Sequence, residues 1–227
     1  EWICVQDDGD GIDREEVCLA FLSHATSKIA NEDDLAAITT LGFRGEALPS
    51  IASVSKIRLI TQTAGSEEGS EILLTGGQVN DIRSIGVPVG STFEVSNLFY
   101  NIPARKKFLK SQGTELAHIS NVVFQQALAH PEIHFELTHE GRTLLTAPAV
   151  TLQRDRLLTL YGEAILKNCL EEHRRPDGSS LGIDLFFSRV PLVKSHQKDQ
   201  SLFINRRSVK SPLVSRAVYD AYNTLMM

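Results

Sequence analysis

The sequence begins with the stretch Trp2-Ile3-Cys4-Val5-Gln6-Asp7-Asp8-Gly9-Asp10-Gly11-Ile12, in which an apolar run passes into an acidic, glycine-rich turn. The apolar run predicts a buried strand over residues 2–6, and the turn residues end it. A carboxylate fixed at a strand end accepts a hydrogen bond from an exocyclic amine, and glycines let a planar ring approach the backbone closely. The stretch therefore indicates a ligand site, with an ordinary acidic turn as the open alternative.

A calcium-binding loop of the EF-hand type does not fit this stretch. Placing Gly11 at the glycine of such a loop puts Gln6 at the first ligand position and Val17 where a bidentate glutamate is needed. Asp13 instead predicts the start of a helix, because Glu16 stands three residues further on, as in a capping box.

The remaining pattern predicts an α/β fold with a mostly antiparallel meander. Strands are expected over Lys56–Thr63, Ser70–Thr75, Gln78–Ser84 and Ser91–Ser96, and a hairpin over Ile133–Thr138 and Arg142–Thr146. Helices are expected over Glu46–Val54, Pro103–Leu109 and Glu115–Leu128. After residue 150 helices follow over Gln153–Tyr161 and Glu163–Lys167, then strands over Cys169–His173, Gly182–Ser188 and Ser201–Ile204, and a helix from about Ser211. We therefore expect two domains that meet near residue 150.

Composition narrows the class of protein. No apolar run reaches the ~20 residues that a membrane span needs. The three cysteines, Cys4, Cys18 and Cys169, are too few and too far apart for a disulfide framework or a CxxC metal site, which favours a reducing cytosol. The net charge of −5 argues against a surface that binds nucleic acid all over, although residues 1–100 carry −10 (6 basic, 16 acidic) and the remainder +5 (17 basic, 12 acidic).

Two further stretches suit phosphate. Ala25-Thr26-Ser27-Lys28 offers two hydroxyls and an ammonium within a long polar segment that runs from His24 to Gly45. Gly42-Phe43-Arg44-Gly45-Glu46-Ala47-Leu48 is a glycine-bracketed turn that begins a helix, where free N–H groups and the helix dipole attract anions. An ordinary surface loop and a structural turn, respectively, are the alternatives.

Other ligand motifs are missing or weak. The sequence has neither a Walker-type phosphate loop nor the third glycine of a dinucleotide fingerprint after Gly9 and Gly11. His130, His134 and His139 invite a zinc interpretation, but His134 alternates with apolar neighbours as the exposed face of a strand would. We therefore predict no metal site there.

In this order and at this spacing, the three ligand-binding stretches resemble the ATP-binding superfamily that unites DNA gyrase, heat-shock chaperones, histidine kinases and MutL. The segments 24–28, 41–48 and Leu98-Phe99-Tyr100-Asn101-Ile102-Pro103-Ala104-Arg105-Lys106-Lys107-Phe108-Leu109 are similar to the bacterial MutL family in particular, and the similarity runs essentially from end to end. Phe203-Ile204-Asn205-Arg206-Arg207 is similar to that family's Val-Asn-Gly-Arg segment, with Arg206 in place of the glycine. The local turn therefore departs from the family pattern.

The resemblance implies roles for individual residues. Asp7 matches the aspartate that receives the adenine amine, Gly9 and Gly11 the glycines beside the base, and Ser91 the hydroxyl that assists at the adenine. The first part of a lid over the nucleotide is matched by Thr26, Ser27 and Lys28, and its end, whose amides face the phosphates, by Gly42, Phe43, Arg44, Gly45, Glu46, Ala47 and Leu48. ATP and Mg²⁺ are the implied cofactors.

The resemblance also implies what lies outside the chain. The family's general base, a glutamate, and its magnesium ligand, an asparagine, belong to a helix before the first strand, and a distal lysine lies beyond Met227. We therefore assign no catalytic residue and expect no ATP turnover from these 227 residues alone.

The implied architecture is a GHKL-type ATPase domain over residues 1–150, a mixed sheet layered on helices, followed over 151–227 by part of a ribosomal-S5-like transducer domain. In the intact protein ATP would order the lid, favour a homodimer of N-terminal domains and couple mismatch recognition to repair. Implied partners are DNA held by backbone contacts, a mismatch sensor protein, and downstream nicking or unwinding enzymes, in the cytoplasm at the nucleoid. The ATPase half of a type II topoisomerase and a non-catalytic scaffold of the same fold are the alternatives.

Overall fold

The computed structural model describes residues 2–23, 42, 45–175, 178, 181–189 and 200–225. The chain divides into two compact units, Glu1–Lys110 and Ser111–Met227. The α/β class predicted from the sequence is confirmed, since both units combine strands with helices.

The first unit is built on a five-stranded sheet. Its strands are β1 (Trp2–Asp7), β2 (Lys56–Gln62), β3 (Gly69–Thr75), β4 (Gln78–Ile85) and β5 (Gly90–Ser96). They lie in the order β1-β5-β2-β3-β4, and each neighbouring pair is antiparallel. The last strand in sequence is thus inserted between the first two, and each predicted strand is confirmed to within two residues.

Alternation along β2 and β3 creates the apolar core on one side of this sheet. Successive side chains of a strand point to opposite faces, so Ile57, Leu59 and Thr61 share the inner face with Ile72, the partner of Leu59. The segments that cover this face are helix α1 (Ala47–Ala52) and a 3-10 turn just before residue 22. The buried residues of the core are Val17, Phe21, Ala52, Ile57, Leu59, Ile72 and Leu74.

The opposite face of the sheet carries a ladder of charges. Glu71 has no exposed side-chain area and accepts hydrogen bonds from Arg83 Nε and from Arg58 Nε, the latter at 2.6 Å. Arg58 Nη1 also donates to Glu94 Oε1 at 3.1 Å. The hydrogen bond from Arg83, followed by that from Arg58, holds the pKa of Glu71 below its ordinary value despite burial. Four adjacent strands are therefore tied together through ionic side chains.

The segment after the acidic turn differs from the prediction. Asp13 Oδ1 accepts from Glu15 N at 2.9 Å, and the Asp13 carbonyl accepts from Val17 N, but turns and the 3-10 helix Leu19–Phe21 take the place of a continuous α-helix. Val17 and Phe21 are nevertheless buried, as the apolar stripe predicts. Short helices have little stability of their own, and here packing on the sheet decides the conformation.

Two other helices of this unit are shorter than predicted. α1 covers six residues, and α2 (Pro103–Lys106) four. Pro49 lies within the first turn of α1, where its missing N–H removes no helical hydrogen bond, as expected.

The second unit combines helices with paired strands. Its elements are α3 (Gln112–Ala129), β6 (Phe135–His139), β7 (Arg142–Ala147), α4 (Gln153–Tyr161), α5 (Glu163–Leu166), β8 (Cys169–Arg174), β9 (Ile183–Ser188), β10 (Leu202–Ile204), β11 (Arg207–Val209) and α6 (Pro212–Leu225). Strands β6 and β7, β8 and β9, and β10 and β11 form antiparallel pairs. A core of Leu128, Leu157 and Leu166 packs against Phe124, Tyr161 and Phe186.

The buried side chain of Arg156 links α4 to the segment before β6 by hydrogen bonds. Arg156 is 0% exposed, and its Nη2 donates to the carbonyls of Pro131 at 2.8 Å and Ile133 at 2.6 Å. Burial lowers the pKa of Arg156. Contacts of this kind place α3 and the β6–β7 hairpin in one compact unit with α4, so that both sides of residue 150 lie within it. The domain boundary near residue 150 stays a prediction.

Of the β10–β11 hairpin, the sequence predicted the first strand but not the second. Its two-residue loop places Asn205 at φ 48° and Arg206 at φ 64°, the left-handed region in which glycine is usual, and Ile204 pairs with Arg207. Arg206 Nη1 forms an ion pair with Glu132 Oε1. The turn therefore forms with an arginine in the glycine position.

No helix in the described part of the chain is both long and apolar enough to cross a membrane.

Glu71→Gln is expected to lower the free energy of unfolding at neutral pH by about 1–3 kcal/mol, because a buried charged acceptor between two guanidinium groups is lost. Since the pKa of Glu71 is lowered, its stabilisation is complete above the unfolded pKa of about 4.3 and disappears as pH falls through the folded value. Urea unfolding across this range measures both effects. Glu94→Gln is the matched control, since Glu94 is 23% exposed and bonds one arginine; an equal loss there would contradict the assignment.

Arg206→Gly is expected to give a free energy of unfolding higher than that of Arg206→Ala by about 1 kcal/mol. Both variants lose the ion pair to Glu132, but only alanine keeps a Cβ in the left-handed conformation. Urea unfolding of the two variants side by side is the measurement. Equal stabilities would show that the turn does not hold residue 206 in that conformation.

Candidate functional site

Three polar side chains stand in one row where adjacent strands end. Asp7 at the end of β1 is the register partner of Ser91 on β5, and Ser91 is also the partner of Thr61 on β2. Directly opposed residues of antiparallel strands project their side chains to the same face. Since Thr61 is on the inner face, all three lie on the side of the sheet that the core occupies.

Thr61 is the centre of a hydrogen-bond network. Its Oγ1 accepts from Ile12 N at 2.8 Å and lies 3.1 Å from both the Gly90 carbonyl and Ser91 Oγ. A hydroxyl has one proton and two lone pairs, so Thr61 donates either to Gly90 or to Ser91. If Thr61 donates to Gly90, Ser91 donates to Thr61 and can only accept a further hydrogen bond. If Thr61 donates to Ser91, the Ser91 proton is available for a ligand.

The Asp7 carboxylate is held in place by the turn that follows it. Asp7 Oδ1 accepts a hydrogen bond of 3.0 Å from Gly9 N. Within the described residues Oδ2 has no hydrogen-bond partner, and the residue is exposed. The side chain therefore presents one fixed acceptor oxygen beside the Ser91 and Thr61 hydroxyls.

Two glycines allow the strand ends to come this close. A Cβ on Gly11, at φ +73°, would lie 2.1 Å from the Gln62 carbonyl oxygen. A Cβ on Gly90, at φ +123°, would lie 2.3 Å from the Asp7 carbonyl oxygen. Gly11 and Gly90 are thus required for the backbone itself, whereas a Cβ on Gly9 would meet only the Asp7 carboxylate, at 3.0 Å.

The predicted phosphate side is described only in part. Gly45 has φ +61°, Glu46 is the N-terminal flanking residue of α1, and Ala47 and Leu48 form its first turn, with Leu48 packed against the core. The Glu46 side chain makes no capping hydrogen bond to this helix. Gly42 is exposed. The remaining predicted site residues, Thr26, Ser27, Lys28, Phe43 and Arg44, lie outside the described residues.

The structure thus brings Asp7, Gly9, Gly11 and Ser91 together and adds two residues that the sequence did not indicate, Thr61 and Gly90. A signal for Thr61 was present, because Ile57, Leu59 and Thr61 alternate on the inner face and only the third is polar. A hydroxyl in a row that is otherwise apolar needs internal partners. The partners are Gly90 and Ser91 on β5, and the sequence around Thr61 does not indicate that β5 pairs with β2.

Metal-binding side chains do not converge in the described residues, where no group of three or more His, Cys, Asp and Glu has a suitable arrangement. His130 Nδ1 lies 3.3 Å from Glu132 Oε1, and His139 Nε2 lies 3.9 Å from Glu140 Oε1.

Known proteins resemble the chain over nearly its whole length. The DNA mismatch repair protein MutL of Clostridium acetobutylicum is 43% identical over 225 residues, which cover 99% of this chain and 36% of that protein. MutL of Acidobacterium capsulatum is 39% identical over 246 residues, covering 99% and 37%. The chain therefore spans a little over a third of the length of these relatives.

Solved structures agree with this similarity. The MutL ATPase domain of Aquifex aeolicus complexed with ADP superposes with a TM-score of 0.72 at 27% identity, covering 96% of this chain and 75% of that one. The N-terminal domain of a DNA repair protein gives a TM-score of 0.78 at 24% identity, covering 99% and 70%, which supports the fold alone.

A family profile also matches the C-terminal part of the chain. The profile for the C-terminal domain of DNA mismatch repair proteins matches residues 157–227. Together with identities of 43% and 39% to the two relatives over 99% of the chain, this match settles the family. The chain belongs to the MutL family of DNA mismatch repair proteins.

Proposed function

We propose that the row of Asp7, Ser91 and Thr61 binds the adenine of ATP. Adenine presents an exocyclic amine, a donor, next to the ring nitrogen N1, an acceptor. The amine donates to Asp7 Oδ2, while Oδ1 is held by Gly9 N. When Thr61 donates its hydrogen bond to Ser91 instead of to the Gly90 carbonyl, the Ser91 hydroxyl is free to donate to N1 directly or through a water. The fixed carboxylate beside a pair of hydrogen-bonded hydroxyls is the observation that carries this proposal.

The same row accounts for a preference for adenine over guanine. Guanine carries a carbonyl oxygen where adenine carries the amine, and its ring nitrogen N1 bears a proton. Such a base would set its carbonyl against the Asp7 carboxylate, and two acceptors repel each other. An acceptor that the bound base covers and leaves without a donor costs about 1–3 kcal/mol, which corresponds to roughly a tenfold to a hundredfold preference.

The phosphates are proposed to lie at the segment from Gly42 to Leu48. The Glu46 side chain does not cap the first-turn amides of α1, and the packing of Leu48 in the core fixes the helix. Amides at a helix N-terminus bind anions through free N–H groups and the helix dipole. Thr26, Ser27, Lys28, Phe43 and Arg44 complete this side in the proposal. Mg²⁺ would accompany the phosphates as their counter-ion.

The proposed role of the whole protein follows from its family. ATP binding would order the lid, favour a homodimer and, through slow hydrolysis, couple mismatch recognition to repair. DNA held through backbone contacts, a mismatch sensor and downstream nicking or unwinding enzymes are the proposed partners, in the cytoplasm at the nucleoid. The ADP complex of the Aquifex aeolicus domain supports nucleotide binding by analogy.

A non-catalytic scaffold remains the second candidate, because we assign no general base among the described residues. The two candidates differ in turnover rather than in binding. ATP hydrolysis by the whole protein that depends on Mg²⁺ would support the enzyme, and binding without turnover the scaffold. The similarity to MutL proteins at about 40% identity disfavours a topoisomerase.

Asp7→Asn is expected to weaken ATP binding by the whole protein roughly tenfold or more, because a charged acceptor for the amine is replaced by a neutral amide. The preference for ATP over GTP should fall with it. Titration calorimetry with both nucleotides measures the two effects. Asp8→Asn removes the adjacent exposed carboxylate and is the matched control, which should leave both values unchanged. Unaltered ATP affinity in Asp7→Asn would place the base elsewhere.

Thr61→Val is expected to lower the free energy of unfolding by about 1–3 kcal/mol and to weaken ATP binding, because Ile12 N and Ser91 Oγ lose their partner inside the protein. Thr61→Ser keeps the hydroxyl and should retain the affinity. Urea unfolding and nucleotide titration are compared for the two variants. If valine binds ATP as tightly as serine, the hydroxyl network has no part in recognition.

A further inference from the structure

In the second unit, His173 on β8 lies between two carboxylates. His173 is the register partner of Asp184 on β9. Its Nδ1 lies 2.8 Å from Asp184 Oδ1, and its Nε2 lies 3.1 Å from Oε1 of Glu171, two residues earlier on β8. Ionised carboxylates only accept hydrogen bonds, so both contacts are hydrogen bonds only when both ring nitrogens carry protons. The geometry therefore fits the imidazolium form.

We propose that His173 is a protonation-dependent latch that fastens β8 to β9 at the end of their hairpin. In the protonated form one ring bonds a carboxylate on each side and joins the two strands. In the neutral form one ring nitrogen becomes an acceptor that faces a carboxylate oxygen, so one of the two contacts is lost. With the remaining proton on Nε2 the cross-strand bond to Asp184 is lost, and with it on Nδ1 that bond persists without the positive charge that strengthens it.

Other charged side chains around the latch pair with its carboxylates or with each other. Arg175 donates to Asp184 Oδ1 through Nη1 and Nη2, each at 3.2 Å, and Arg154 of α4 lies 3.6 Å from Glu171 Oε2. Glu172 and Arg174 alternate with His173 along β8 and pair with each other at 3.1 Å. Within the described residues, His173 is therefore the group of this cluster whose charge changes near neutral pH.

The direction of the pH effect follows from these contacts. The hydrogen bond to Asp184, followed by the charge of Asp184 and the bond to Glu171, raises the pKa of His173 above its ordinary value. A raised pKa means that the latch is fully closed below the unfolded value of about 6.5 and opens as pH rises through the folded value. The hydrogen bond from His173, with that from Arg175, lowers the pKa of Asp184, so this carboxylate stays ionised while the latch is closed.

The size of the effect is limited by exposure. The His173 side chain is 59% exposed and that of Asp184 53%, so water and salt weaken the pair. Exposed ion pairs change an equilibrium by at most about fivefold. The latch is accordingly a local device at one end of the hairpin rather than a determinant of global folding.

The test uses the whole 227-residue chain. Proton NMR titration should give His173 a pKa above about 6.5, and Asp184→Asn should lower it. Amide hydrogen exchange, corrected for its intrinsic pH dependence, should show opening of the β8–β9 pair rising up to about fivefold as His173 loses its proton. His173→Gln should abolish this pH dependence, because glutamine does not titrate.

His118→Gln on α3 is the matched control, since the ring of His118 bonds no carboxylate in the described residues. It should leave the exchange profile of β8–β9 unchanged. A His173 pKa at or below the ordinary value would overturn the latch. So would pH-dependent opening that persists in His173→Gln.

Discussion

The insertion of β5 between β1 and β2 is the constraint on which the first unit depends. β5 pairs over its length with both neighbours, so a single register sets the position of Asp7, Ser91 and Thr61 together. Phe93 on β5 faces the core and stacks near Phe21, with ring centroids 6.2 Å apart. A slip of one residue would carry Phe93 to the outer face and Ser91 with it. The apolar core therefore fixes the geometry of the polar row.

The two faces of the sheet stabilise it by different means. The inner face buries aliphatic side chains such as Leu59 and Ile72, each at most 1% exposed, and this burial does not depend on ionisation. The outer face holds Glu71 between Arg58 and Arg83, a contact that depends on ionisation. Because the arginines remain partly exposed, the ladder adds orientation across four strands more than it adds stability. Strand order is thus reinforced by charge on the outer face.

The sequence predicted the individual strands well, but it did not predict that β5 pairs with β1 and β2. Alternation located β2 to β5, and the acidic turn located Asp7, because these signals are contained within a few residues. The role of Thr61 depends on β5, some thirty residues further along the chain, and is not encoded near Thr61. β11 was missed because Arg206 hides the usual glycine signal of the hairpin. The segment after Asp13 carries a helical pattern, yet packing against α1 makes turns sufficient to bury Val17 and Phe21.

The candidate site divides into parts with different physical characters. The proposed adenine side consists of strand ends and a turn held by hydrogen bonds of 3.0 and 2.8 Å, and a rigid site of this kind would recognise the base whatever phosphates follow it. ADP and ATP carry the same base, so in the proposed function this side does not distinguish them. The distinction has to come from the segment that ends at α1 and from residues 26–28, where the terminal phosphate would be bound. In the proposed function, a change of conformation driven by ATP but not by ADP would therefore begin on that side, since a ligand shifts an equilibrium only through contacts that differ between the two states.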